Sequence, residues 1–179
     1  MVIRFVCVAL IAAGLLQMPA NAQEMPTPSK QHKILMQDVG EWEIAGKMMM
    51  PDGMVEFKGE EKVVAIGGFW TVSDYSADVL GGLKGSLTLG YDAGKKAYVG
   101  TWVDSFQPTP TKMKGTFDQK SSTMTFETVG MGMDGKPMPG RIVVQYKDKN
   151  THTFKMLSPD PTGATDKMVT TMEMVYTRK

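Results

Sequence analysis

The stretch LGYDAGKKAYVGTWVDS, residues 89–105, decides the fold because two alternating runs of apolar and polar residues flank a turn. Asp92 can hydrogen-bond the backbone of its own turn, and Gly94 tolerates a positive φ. Residues 92–95 are therefore the expected turn of a β-hairpin. The second run ends in an Asp–Ser pair, which belongs either to a functional site or only to the end of a strand.

The alternation also predicts which side chains share a face of the hairpin. A turn at 92–95 sets Tyr98 opposite Leu89 and Trp102 opposite Gly85, and directly opposed residues lie on the same face of a sheet. Leu87 joins this group, which is apolar and is therefore expected to point inward. Gly85 has no side chain and leaves room for the indole of Trp102.

The same alternation turns Asp104 inward, opposite Leu83 and near one end of the sheet. A carboxylate that faces an apolar interior must find hydrogen-bond donors, stay hydrated or raise its pKa, so Asp104 is a candidate site residue. The alternative, which we favour, is that Asp104 accepts backbone hydrogen bonds from the following turn SFQPTP, residues 105–110. Ser105 is expected to point outward, which removes it as a catalytic companion of Asp104.

Short strands and turns at even spacing continue to the end of the chain and predict about ten strands. Their expected ranges are 42–50, 54–66, 69–78, 83–91, 97–105, 111–118, 123–129, 141–147, 152–157 and 168–178. Consecutive antiparallel strands with one apolar face favour an all-β fold, an up-and-down β-barrel, because closure removes exposed strand edges. A two-sheet sandwich is the alternative. A short N-terminal helix is expected before the barrel, with Ser29 as its N-cap and Gly40 at its end.

The inner face is expected to be rich in methionine and aromatic residues. Alternation assigns to it Met48, Met50, Met113, Phe117, Met124, Phe126, Ile142, Val144, Tyr146, Met156, Met168, Met172, Met174 and Tyr176. Methionine suits an irregular or adaptable cavity, and a methionine-tolerant solid core is the alternative. Residues 130–140 form a long expected loop, which together with residues 105–110 is the expected gate of any cavity.

The first 22 residues are typical of a cleaved signal peptide. Arg4 precedes an apolar run shorter than the roughly 20 residues of a membrane-spanning helix, and residues 20–22, Ala-Asn-Ala, are a cleavage motif. We therefore expect an exported protein, periplasmic or secreted, with no stable membrane span in the mature chain. Residues 23–29 are expected to be a flexible tether, and residues 30–179 a single barrel domain.

Composition excludes several classes of function. The only cysteine, Cys7, lies in the signal peptide, so the mature chain has no disulfide, Cys-based zinc site or thiol catalyst. Without Arg4 the chain has 19 basic and 19 acidic residues and no basic run, which argues against a nucleic-acid partner. The absence of a G-x-S-x-G motif and the presence of only His32 and His152 disfavour nucleophilic hydrolysis.

Three segments carry a resemblance to a known family. GGFWTVSDYSAD at 67–78, GSLTLGYDAGKKAYVGTWVDS at 85–105 and MVYTRK at 174–179 resemble the bacterial family called domain of unknown function 1579. The resemblance extends over about residues 33–179. Members of this family have no assigned activity, so the resemblance implies an architecture rather than a function.

A wider resemblance is to the lipocalin-type, or calycin, barrels. VGEW at 39–42 is similar to the G-x-W element that follows a short helix in those proteins. This resemblance implies that Arg178 stacks on Trp42 and closes one end of the barrel, a structural pair worth on the order of 1 kcal/mol. Ten strands are more similar to fatty-acid-binding or nitrobindin-like barrels. Because nitrobindin-like barrels hold haem through a histidine, His152 is a possible haem ligand, and a rim histidine is the alternative.

The leading functional hypothesis is a non-enzymatic binder or carrier of a small apolar molecule, with no cofactor expected. The expected ligand-binding residues are Trp102, Asp104, Tyr98, Leu89, Met113, Phe126, Tyr146 and Met172. One alternative is a Cu(I) protein that uses thioethers from Met48, Met49, Met50 and Met54, or from Met131, Met133 and Met138. Another is a barrel enzyme that uses Asp104 and Tyr98. The oligomeric state stays open.

Overall fold

The computed structural model describes residues 25–50, 52–132, 135–160 and 163–179, and the expected signal peptide lies outside the described residues. One helix, α1 at Lys30–Leu35, precedes the strands. The strands are β1 Gly40–Met50, β2 Gly53–Ile66, β3 Trp70–Ala77, β4 Leu83–Asp92, β5 Ala97–Asp104, β6 Thr111–Asp118, β7 Thr123–Met131, β8 Pro137–Tyr146, β9 Thr151–Pro159 and β10 Met168–Arg178. A single 3-10 turn at Val79–Gly81 joins β3 to β4.

The ten strands form a closed antiparallel barrel. Each strand pairs with its neighbour in the chain, and β1 pairs with β10 from Trp42 opposite Arg178 to Met48 opposite Met172. The predicted all-β, up-and-down barrel with a short helix near its N-terminus is confirmed, and the sandwich is excluded because the first and last strands are hydrogen-bonded. Closure gives every strand a hydrogen-bonded neighbour on both sides, so no strand is a free edge along its whole length.

The register of the opening hairpin differs from the prediction by two residues. Tyr91 pairs with Tyr98, Leu87 with Trp102, and Gly85 with Asp104, rather than Leu89 with Tyr98 and Gly85 with Trp102. The turn begins one residue later than expected, because Lys96 adopts a left-handed φ of 50° and joins it. A shift of two residues preserves the face of every side chain, so the predicted inward group stands.

Gly85 still accommodates the indole of Trp102, although the two residues are diagonal rather than directly opposed. A Cβ on Gly85 would lie 2.2 Å from Trp102 Cζ2, so the ring occupies the space that a side chain would need. The sequence therefore indicated the right packing neighbour of Gly85, although the predicted pairing partner was wrong.

The expected long loop at 130–140 is wrong, because β7 extends to Met131 and β8 begins at Pro137. Glycine and proline are typical of loops, so the sequence of residues 137–140 does not resemble a strand. Residues 137–140 pair only with β7, since the pairing of β8 with β9 starts at Arg141 opposite Leu157. Proline lacks the N–H that a second partner strand would need, and it is tolerated on such a locally unpaired edge.

Two further expectations about single residues are wrong. Met168 is 42% exposed rather than inward, because a bulge between Thr170 and Met172 reverses the phase of β10. The helix ends at Leu35, not at Gly40, which is the first residue of β1. Gly40 has a φ of 143°, and a Cβ there would lie 2.3 Å from Arg178 Nη1, so glycine makes room for the guanidinium.

Helix α1 covers the end of the barrel where β1 starts and β10 finishes, which we call the closed end. Its N-cap is Ser29, as predicted, and the Ser29 amide donates to His32 Nδ1 at 3.0 Å. Leu35 is fully buried, and the Tyr98 hydroxyl donates to the Gln31 carbonyl at 3.2 Å. These contacts hold the helix over the interior.

Arg178 joins three segments at the closed end. Its guanidinium carbon lies 4.2 Å from the centre of the Trp42 ring, the contact that the lipocalin-type resemblance implies. Nη1 donates to the Val39 carbonyl at 2.8 Å, Nη2 to the Gln37 carbonyl at 2.7 Å, and Nε to the Lys149 carbonyl at 3.0 Å. The planar guanidinium of Arg178 thereby connects the segment after α1 to the turn between β8 and β9.

We expect Arg178→Lys to lower the free energy of unfolding by about 1–3 kcal/mol, because an ammonium cannot reproduce the three divergent hydrogen bonds. Urea unfolding followed by circular dichroism measures the change. Arg141→Lys is the matched control, since Arg141 forms an exposed ion pair with Glu127 and its replacement should cost less than about 0.5 kcal/mol. Equal losses in the two variants would contradict the role of Arg178 in closure.

Candidate functional site

The barrel encloses a cavity of about 710 Å³, within the usual range for small-molecule sites. It reaches the surface at the end opposite α1, where Leu80 and Phe106 line it and are 46% and 48% exposed. We call this end the mouth. The opposite end of the cavity, the floor, is formed by Asp38, Glu61, Tyr146, His152 and Tyr176.

Methionines make up much of the cavity wall. Those that line it are Met48, Met49, Met113, Met124, Met131, Met138, Met156, Met172 and Met174. They come from β1 and from β6 to β10, six strands that are consecutive neighbours in the barrel, so their unbranched side chains form one continuous wall. Such a wall can adjust to the shape of an apolar occupant.

Seven of the eight expected ligand-binding residues line this cavity. They are Trp102, Asp104, Leu89, Met113, Phe126, Tyr146 and Met172. Tyr98 is not among the lining residues. Its ring packs against Tyr91 with the ring centres 5.1 Å apart, its hydroxyl bonds to α1, and burial raises its pKa to about 12. Tyr98 is therefore a support for the helix rather than part of the cavity.

Asp104 is satisfied by its own turn, which is the interpretation favoured from the sequence. Its Oδ1 accepts the amides of Phe106 at 2.8 Å and Gln107 at 3.0 Å, and its Oδ2 accepts Trp102 Nε1 at 2.8 Å. Asp104 thus fixes the start of the segment at the mouth. It lies at the other end of β5 from Tyr98, six residues or about 20 Å away, so the two cannot act on one substrate atom.

Asp38 is the first floor residue that the sequence analysis missed. It lies between α1 and β1, where its backbone carbonyl accepts Trp42 Nε1 at 2.8 Å and its Oδ2 accepts the Tyr146 hydroxyl at 3.0 Å. Among the described residues its Oδ1 is buried without a hydrogen-bond partner. Burial raises the pKa of Asp38 to about 7; Glu61 adds to the rise, while Tyr146 and Arg178 oppose it.

Glu61 is the second missed residue. It lies on β2 between the buried side chains of Phe57 and Val63 on the same inward face, opposite Trp42 on one side and Tyr75 on the other. Burial raises its pKa, and the hydroxyls of Ser73 and Tyr176, which favour the charged form, only partly offset the rise. The alternation of β2 contained the signal, since Glu61 is in phase with Phe57 and Val63. No strand pattern covers Asp38.

His152 completes the floor, with its imidazole enclosed by aromatic rings. The ring centre lies 4.4 Å from that of Tyr176 in a stacked arrangement, 4.6 Å from Trp42 and 5.5 Å from Tyr146. Burial and the nearby Arg178 lower the pKa of His152 to about 4, so it is neutral at pH 7. Among the described residues its Nδ1 is buried without a hydrogen-bond partner. The haem hypothesis stays a prediction without support from this packing.

The thioether groups proposed for Cu(I) are only partly assembled. Met48 and Met49 both line the cavity, whereas Met50, which was expected on the inner face, does not. β1 ends at Met50, and the regular alternation of inward and outward side chains ends there as well. Met54 is 49% exposed, and Met133 lies outside the described residues. In the described part of the chain, no group of three His, Cys, Asp or Glu residues has the spacing of a metal site.

Fold and cavity together define a closed ten-stranded β-barrel with an internal cavity lined in large part by methionines. A family model described as protein of unknown function (DUF1579) matches residues 27–178, and the chain belongs to this family. The resemblance of the three sequence segments to domain of unknown function 1579 is thereby confirmed.

The crystal structure of Rv2717c from M. tuberculosis has a similar fold, with a TM-score of 0.65 and 11% sequence identity. The match covers 86% of this chain and 99% of that one, and it shows the fold alone. No curated protein matches the sequence. Within the described ranges, no helix has the length and apolar character that crossing a bilayer requires.

We expect Asp38→Asn to gain stability relative to the natural protein as the pH rises from about 4 to about 7. The folded-state pKa of Asp38 is raised, so its stabilising contribution is complete below pH 4 and is lost as the pH approaches 7. The difference in unfolding free energy between the variant and the natural protein should therefore rise, by at most about 1.4 kcal/mol per pH unit. Urea unfolding at half-unit pH steps measures it.

His152 has the opposite dependence on pH, but both proteins contain it, so its effect cancels in the difference. Asp92→Asn is the control, because its effect on the unfolding free energy should change with pH in the opposite direction. Lys95 lowers the pKa of Asp92, so its contribution is lost as the pH falls, and the corresponding difference should decrease with rising pH in the acid range. A flat difference for Asp38→Asn would contradict the raised pKa.

Proposed function

We propose that this protein binds or carries a small apolar molecule inside the barrel and is not an enzyme. The observation that carries the proposal is the cavity of about 710 Å³, which is closed at one end by α1 and Arg178 and reaches the surface at the mouth. A barrel that only needed a core would fill this volume with side chains, since unfilled apolar space lowers stability.

The arrangement of polar groups supports binding rather than catalysis. Asp104 is occupied by three hydrogen bonds to its own turn and to Trp102, and its proposed partner Tyr98 lies at the other end of β5. His152 is enclosed by three aromatic rings and is 7% exposed, which is unfavourable for proton exchange with a substrate. Asp38 and Glu61 lie at the floor, where they can orient one end of a bound molecule.

The mouth is the proposed entrance. Phe106 and Gln107 from the segment after β5, together with Met131 and Gly132 from the β7–β8 connection, line the cavity there. Residues 105–110 therefore remain one proposed gate. The other gate is shorter than expected, because the β7–β8 connection spans only 132–136.

Classification and location complete the proposal. The Trp42–Arg178 contact supports a lipocalin-type, or calycin, relationship. Residues 1–22 support export to the periplasm or the medium, a tether at 23–29 and one domain at 30–179. Protein purified from its own host and analysed by native mass spectrometry with lipid and metal analysis would show a bound molecule directly.

We expect Met172→Trp to weaken binding of the uncharged apolar dye Nile red at least about tenfold, because the indole fills space in the cavity. Fluorescence titration measures the affinity, and thermal unfolding shows whether the variant folds. Val175→Trp is the matched control on the same strand, since Val175 is 45% exposed on the outer face. Unchanged affinity in a folded Met172→Trp protein would contradict binding in the cavity.

A further inference from the structure

We propose that the ligand carries a protonated amine, which Asp38 and Glu61 bind at the floor while the apolar body of the molecule lies along the methionine wall. This inference rests on the proposed binding function and adds the chemical class of the ligand. It concerns a primary or secondary aliphatic or arylalkyl amine of small size.

The charge of the cavity lining is the first support. Among the described residues that line the cavity, Asp38, Glu61, Asp104 and Asp160 are acidic, and none is lysine or arginine. Arg178 lies behind Trp42 and directs all three of its donor nitrogens to backbone carbonyls. The lining therefore favours a cation and disfavours an anion such as a fatty-acid carboxylate.

A shortage of hydrogen-bond donors at the floor is an independent observation. His152 is 7% exposed and lines the cavity, yet its Nδ1 has no partner in the described structure, and neither has Asp38 Oδ1. An ammonium group brings up to three donors and no acceptor, which is what this set of groups lacks.

Aromatic rings around the floor add to the preference for a cation. Tyr75, Tyr146 and Tyr176 line the cavity beside the two carboxyl groups, and the face of a phenol ring attracts an ammonium ion. The attraction is stronger at a desolvated site, and the side chains of Tyr75 and Tyr176 are both buried.

Binding of the amine should release protons. Burial keeps Asp38 largely protonated just below pH 7, whereas an ammonium ion beside it favours the carboxylate. The carboxyl proton passes to the buffer, and the ammonium–carboxylate pair remains in the cavity. An uncharged ligand of the same shape gives no such release.

Calorimetry with n-octylamine, n-octanol and n-octanoate at pH 6.5 tests the inference, because the three molecules share one apolar chain. We expect octylamine to bind at least about tenfold more tightly than octanol, and octanoate to bind most weakly. Repeating the octylamine titration in phosphate and in 2-(N-morpholino)ethanesulfonate, whose heats of ionisation differ, should show net proton release.

Variants locate the preference at the floor. Asp38→Asn and Glu61→Gln should each lower the affinity for octylamine about tenfold and leave that for octanol within about twofold. Glu60→Gln is the matched control, because Glu60 precedes Glu61 on β2 but is exposed outside the barrel, where Lys179 pairs with it. It should leave all three affinities unchanged.

The outcomes separate the two proposals. The amine inference is wrong if octylamine binds no more tightly than octanol, or if octanoate binds most tightly of the three. The binding function still stands in these cases, provided that Met172→Trp abolishes the binding that is observed. If none of the three molecules binds, both proposals fail. Should a floor variant not fold, octylamine binding by the natural protein without proton release would still overturn the inference.

Discussion

The pairing of β1 with β10 is the constraint on which the rest of the structure depends. Once these strands are hydrogen-bonded from Trp42 opposite Arg178 to Met48 opposite Met172, no edge remains and every second side chain must point inward. A circle of ten strands is wider than one of eight, which side chains can just fill. The internal cavity therefore follows from strand number and closure, and the methionines line space that closure created.

The same closure brings ionisable groups into the interior. Asp38 and Glu61 come from different segments, yet the pairing of β1 with β2 sets Glu61 opposite Trp42, whose indole donates to the Asp38 carbonyl. Burying two carboxyl groups costs free energy, which appears as their raised pKa values. Arg178 offsets part of this cost at Asp38 from behind the floor, so the residue that closes the barrel also tunes its electrostatics.

The sequence predicted the fold well because strand alternation has a period of two. This period determines which face of the sheet each side chain occupies, but a register shifted by two residues gives the same faces. For this reason Leu87, Leu89 and Trp102 were correctly placed inward, whereas their predicted pairing partners were wrong. Two residues of the floor escaped prediction for a different reason. Glu61 is a charged residue at an apolar position, where hydrophobic patterning reads it as an interruption, and Asp38 lies in a connection that only the closed barrel brings to the cavity.

Under the proposed binding function, wall and floor place opposite demands on a ligand. Thioether chains have several rotatable bonds and no directional partner, so the wall accepts many apolar shapes with little discrimination between them. The floor is rigid by contrast, because Tyr146 is bonded to Asp38 and His152 is stacked on Tyr176. Discrimination therefore has to come from the floor, where a ligand group that leaves the buried acceptors unpaired loses more free energy than an imperfect fit along the wall.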